Sequence, residues 1–79
     1  MNDAGFAIYP NPTQNNFTLA FAGQSFDITV FDMAGRKIFE RLNVIDQTSI
    51  NCAAFSAGIY TVYARNANQI FTRRLVVSR

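Results

Sequence analysis

Apolar and polar residues alternate along this chain. Phe17, Leu19 and Phe21 fall on one face, with Thr18 and Ala20 on the other. Phe26, Ile28 and Val30 repeat the pattern against Asp27 and Thr29, and Tyr60, Val62 and Ala64 repeat it again. A period of two is the mark of a strand with one buried face. No apolar recurrence at three and four persists over ten residues, and β-branched and aromatic side chains are frequent. The pattern predicts strands at about 6–9, 17–21, 26–32, 36–42, 48–52, 59–65 and 70–77.

Turn residues stand between these runs. Pro10-Asn11-Pro12 stops the first strand, because neither proline donates a backbone N–H and Pro12 pushes Asn11 to an extended conformation. Asn15-Asn16 is expected to supply a left-handed residue before Phe17. Ala22-Gly23-Gln24-Ser25 reads as a hairpin loop. Asp32-Met33-Ala34-Gly35 reads as a type I turn, with Asp at its first position and a left-handed Gly35 starting a bulge. Phe55-Ser56-Ala57-Gly58 has the same form before Ile59, and Asn66-Ala67-Asn68-Gln69 closes a last hairpin. Short strands at near-regular spacing, with a turn at every break, predict an all-β, seven-stranded β-sandwich. Residues 1–4 read as a remnant of a linker, and 5–79 as one domain.

Composition narrows the chemistry. The chain has 79 residues, enough for one small domain. Half of it (49%) is hydrophobic, which is too apolar for a disordered tail. No apolar run approaches the ~20 residues that span a bilayer. The start carries no basic stretch leading into an apolar one, so the sequence does not read as an intact secretory precursor. His is absent and Cys occurs once, so no zinc site, Cys–His pair or Ser-His-Asp triad can be assembled within the chain. The net charge of +2 is small for a nucleic-acid footprint, and Arg73-Arg74 is the basic pair of note. Asp27, Asp32 and Asp46 lack the dense spacing of a calcium loop. Cys52 reads as a small buried hydrophobe. No enzyme, cofactor, metal or nucleic acid is expected.

Four segments, in order, carry a resemblance. They are Tyr9-Pro10-Asn11-Pro12-Thr13 with Phe17-Thr18-Leu19; Ile28 to Ile38, through Asp32-Met33-Ala34-Gly35-Arg36-Lys37; Ile50 to Val62, through Ala57-Gly58-Ile59-Tyr60; and Thr72-Arg73-Arg74-Leu75-Val76-Val77-Ser78-Arg79. Together they resemble the C-terminal sorting domain of the type IX secretion system, from Ile8 to Arg79. The resemblance implies an immunoglobulin-like sandwich at the end of a larger bacterial cargo protein. It implies that the cargo is met in the periplasm by the type IX machinery and passes the outer membrane to the cell surface or medium. A surface cysteine peptidase would then remove the domain. Three positions depart from the usual pattern: Arg73, Arg74 and Arg79 stand where Lys is usual, Cys52 where Leu is, and the last hairpin lacks Gly, leaving Asn66 or Asn68 to supply any left-handed residue.

The residues expected to carry sorting are Gly58, Tyr60, Arg73, Arg74, Leu75, Val76, Val77 and Arg79, with Pro10, Pro12, Asp32 and Gly35 shaping turns. Arg73 shares a strand face with Phe71, Leu75 and Val77. It must therefore snorkel, pair with Asp46 or Glu40, or be moved by a bulge. The terminal strand reads either as a closing edge guarded by cations or as an edge offered to a receptor by strand addition. The alternative function is an immunoglobulin-like glycan-binding or adhesion module displaying Phe39, Tyr63 or Phe71. A parent gene that ends at Arg79 would favour the sorting signal over that module.

Overall fold

The computed structural model describes residues 6–78; the expectations for residues 1–4 and for Arg79 lie outside the described residues. Every regular element within them is a strand: β1 (Phe6–Tyr9), β2 (Asn16–Phe31), β3 (Lys37–Asn51), β4 (Gly58–Arg65) and β5 (Ile70–Val77). They form one antiparallel sheet in the order β1-β2-β4-β5, with β3 also on β2.

The seven predicted segments are all extended, but the structure joins two pairs of them. Ala22–Ser25 is not a hairpin loop: β2 runs through it, and so does β3 opposite. The ladder survives because both strands absorb the mismatch as bulges. Ala20 pairs with Gln47 and Ser25 with Ile45, so Phe21–Gln24 stand against Asp46 alone. Gly23 (φ 69°) and Asp46 (φ 66°) are both left-handed there, and the Gly23 N–H donates to Asp46 Oδ1 at 3.1 Å. A second bulge sets Leu42 and Asn43 against Asp27, whose Oδ1 accepts the N–H of left-handed Asn43 (φ 55°) at 2.9 Å. Bulges sharpen the local twist and bend the strand. Arg41 Nη1 consequently reaches Thr48 Oγ1 at 2.6 Å and the Ser49 carbonyl at 3.1 Å. In a straight strand those Cα atoms would lie about 23 Å apart.

The bend changes the neighbours of β2. Its first half lies between β1 and the end of β3; its second half lies between the start of β3 and β4. The sheet thus curls over a single core. Phe17, Leu19, Phe21, Phe26, Ile28 and Val30 are all buried in it, as the alternation predicts, and so are Val62, Ala64, Leu75 and Val77. Cys52 is fully buried among them. Phe6 stacks on Phe21 at 5.6 Å and on Phe71 at 5.0 Å, bringing β1 against β5.

The β1–β2 corner draws the sheet almost to a barrel. Thr13 bridges Val77 in parallel: its N–H donates to the Val76 carbonyl at 2.9 Å, and the Ser78 N–H donates to its carbonyl at 2.8 Å. Both X–Pro bonds in the corner are cis. The Thr13 side chain is buried, and its hydroxyl donates to the Asn16 carbonyl. The left-handed residues expected at Asn15-Asn16 and in the last hairpin are not there. In that hairpin, Asn66 Oδ1 instead accepts the N–H groups of Asn68 and Gln69, both at 2.9 Å, and the turn closes with no positive φ.

Candidate functional site

The turn between β2 and β3 has the predicted form. The Gly35 N–H donates to the Asp32 carbonyl at 3.0 Å, and Gly35 is left-handed at φ 85°. Asp32 organises the rest. Its Oδ1 accepts the N–H groups of Ala34 (2.9 Å) and Arg36 (3.0 Å), and its Oδ2 pairs with Arg36 Nε at 2.9 Å. These donors favour the charged carboxylate, and the Arg36 N–H contributes most, so the Asp32 pKa lies below the usual 3.8 despite an opposing loss of solvent.

The loop before β4 is built from its own side chains. Asn51 Oδ1 accepts the Ala53 N–H at 2.8 Å, and the Phe55 N–H donates to the Cys52 carbonyl at 3.0 Å. Gly58 has positive φ, as expected, but at 156° it stands away from the left-handed helical basin. Tyr60 is buried, tilts against Phe55 at 5.3 Å, and donates its hydroxyl back to the Ser56 carbonyl. That bond ties the loop to the strand four residues on. A buried tyrosine anchored in this way satisfies its polar end without leaving the core.

Strand β5 separates the basic pair. Arg73 faces inward with Leu75 and Val77, but neither Asp46 nor Glu40 meets it. Its guanidinium lies over the Phe6 ring at 4.9 Å and the Phe71 ring at 5.7 Å, and its Nη1 donates to the Thr72 carbonyl at 2.9 Å. Glu40 pairs with Lys37 instead, and Asp46 holds the bulge at Gly23. Arg74 is exposed on the outer face, directly across from Thr61, and half-buried Val76 lies across from Ile59.

The outer edge of β5 is largely taken. Asn11 Nδ2 donates to the Arg74 carbonyl at 2.7 Å, and Asn11 Oδ1 accepts the Val76 N–H at 2.9 Å. With the Thr13 bonds, the edge-facing groups from the Arg74 carbonyl to the Ser78 N–H are occupied. Strand addition over that stretch is closed. Asn11 is a clamp on this edge that sequence reasoning passed over, because it stood there only as the residue between two prolines.

The remaining candidates disperse. Asp27, Asp32 and Asp46 each hold a different kink or turn. Phe39 and Phe71 pack against the core, leaving Tyr63 alone of the three aromatics with an exposed ring, set edge-on to Phe31 at 5.5 Å. The four singled-out segments adjoin one another in the sheet and its corner, and the second and third also meet outside the ladder: Met33 and the turn around it lie beside Gly58, Ile59 and Tyr60 along one groove.

Residues 7–78 match the family described as the secretion system C-terminal sorting domain. No curated protein matches the chain.

Proposed function

We propose, from the premise that the chain belongs to the secretion system C-terminal sorting domain family, that its terminal strand and outer sheet face carry the information the secretion machinery reads. The domain is a type IX sorting signal, the part of a cargo protein that directs export across the outer membrane to the cell surface or medium. The match across residues 7–78 carries this conclusion.

The finer steps are our reading. The folded domain is met in the periplasm, acts without chemistry of its own, and is removed at the surface by a cysteine peptidase. Leu75 and Val77 anchor β5 and Arg73 locks it over two rings, so these residues present the signal. Gly58 and Tyr60 hold the loop beside it. Arg74 and Val76 face outward and are available to be read, and Arg79 belongs to the same terminal stretch of sequence. An immunoglobulin-like sandwich of seven segments is supported by the bent β2 and β3, each of which counts as two, and by the Tyr60 hydroxyl bond to the chain upstream, a device common at immunoglobulin strand corners. The glycan or adhesion reading keeps only Tyr63 of its three aromatics, since Phe39 and Phe71 are packed inward.

The test is a fusion of residues 1–79 to a periplasmic reporter in a host with the type IX system. Reporter in the medium or on the surface, lost when the system is deleted, supports the reading. Reporter retained in the periplasm of the intact host overturns it.

A further inference from the structure

The outer face of the sheet carries a groove that the fold does not use. Its apolar lining is Phe31, Met33, Ile59 and Tyr63, and its volume is about 520 Å³. It continues between the Asp32–Arg36 turn and the Ser56–Gly58 loop. Met33 is 79% exposed, and Ile59 and Tyr63 each 39%. These apolar groups are adjacent and face water together, the arrangement that marks a contact surface.

The charges around the groove leave one guanidinium over. Among the described residues lining it, Asp32 is the sole carboxylate, and Arg36 with two backbone N–H groups already holds it. The Arg36 side chain is itself largely exposed at one mouth. Across the groove wall at Thr61 stands Arg74, exposed, with a threonine rather than a carboxylate as its cross-strand neighbour. An apolar floor beside the exposed Arg74 guanidinium, with Asp32 already neutralised by Arg36, fits an occupant that is apolar and anionic at once.

We propose that this groove docks an extended segment of a protein partner in which an apolar side chain stands next to a carboxylate. The apolar group enters over Phe31 and Tyr63, and the carboxylate meets Arg74. This rests on the sorting reading and names the chemistry of its reader. Face docking also agrees with the state of the β5 edge, where the Asn11–Thr13 corner already fills the hydrogen-bonding positions that strand addition would need.

The experiment places the photocrosslinking residue p-benzoylphenylalanine at position 33 of the reporter fusion in a type IX host, with position 47 on β3 as the distant control. The expected result is a crosslink from position 33, absent from 47, to a partner segment holding Asp or Glu beside an apolar residue. Arg74→Glu and Tyr63→Thr should each lower export about tenfold, as loss of a central contact does. Lys in place of the partner carboxylate should restore export of the Arg74→Glu fusion. Circular dichroism of each purified variant checks folding. If Tyr63→Thr unfolds, Met33→Ser combined with Arg74→Glu, both at exposed positions, carries the test. Folded variants exported at the unsubstituted level overturn the docking, as do crosslinks confined to lipid, to a second copy, or to a segment with no acidic residue. An unsubstituted fusion that is not exported overturns the sorting reading itself, so the two failures are told apart.

Discussion

The guanidinium of Arg73 lies 4.9 Å from the centre of the Phe6 ring, so the last strand is fastened to the first by a cation on an aromatic face. Its neighbour Arg74, one residue on, points to the other side of the sheet and touches no ring. The two arginines of one basic pair therefore have different work, and substitutions separate them.

Arg73→Gln should destabilise the domain by about 1 kcal/mol or somewhat more, from the lost cation–π contacts and the lost packing of the long stem. Arg74→Gln should stay within about 0.5 kcal/mol of the parent. Urea unfolding of the two single variants checks this. Equal midpoints would mean that the ring contacts contribute nothing.

Gly35→Ala and Gly58→Ala should each cost on the order of 1 kcal/mol or more. A β-carbon at either position meets no atom within 4 Å, so the penalty is one of backbone conformation and not of space. Asn tolerates the left-handed basin. Gly35→Asn should therefore recover part of the loss, while Gly58→Asn, at φ 156°, should not. Thermal melts of the four variants decide it.

Asp32 makes stability depend on pH in a definite direction. Its folded pKa lies below the usual 3.8, so its contribution is present above that value and is lost as pH falls through the lowered folded pKa. Below pH 3.8, Asp32→Asn should lose stability less steeply than the parent. Unfolding midpoints over an acid series measure the two slopes; parallel slopes would remove Asp32 from the acid response.

Asn11→Ala removes both side-chain bonds to β5 and should cost about 1–2 kcal/mol. Amide exchange offers the sharper readout. The Val76 N–H, now donating to Asn11 Oδ1, should lose protection, while amides in the middle of β4 keep theirs. Unchanged exchange at Val76 would show that the clamp is not formed in solution.

Much of this was legible because it is local. The alternation of Phe17, Leu19 and Phe21 needs only the pleat of one strand, and the Asp32–Gly35 turn closes within five residues. What was not legible depends on distant partners. The left-handed Asn43 and Asp46 are held by groups 16 and 23 residues away, on Asp27 and Gly23. A reader of the chain sees only Ala22-Gly23-Gln24-Ser25, a good loop in isolation, and not the opposing strand that keeps it extended. Asn11 is the extreme case: its partners lie 63 and 65 residues downstream. Arg73 was legible as a problem, a cation on an apolar face, but its solution required knowing that Phe6 would arrive beside it.

The parallel bridge between Thr13 and Val77 has a mechanical consequence. The corner that follows β1 runs alongside the end of β5 and in the same direction. A pull on the two ends in opposite directions loads the Thr13 and Asn11 hydrogen bonds in shear. They must then yield together and not one at a time, as they would if the strands were peeled apart. A domain towing cargo attached before β1, while gripped at its last strand, would thus carry the tension in shear across this seam.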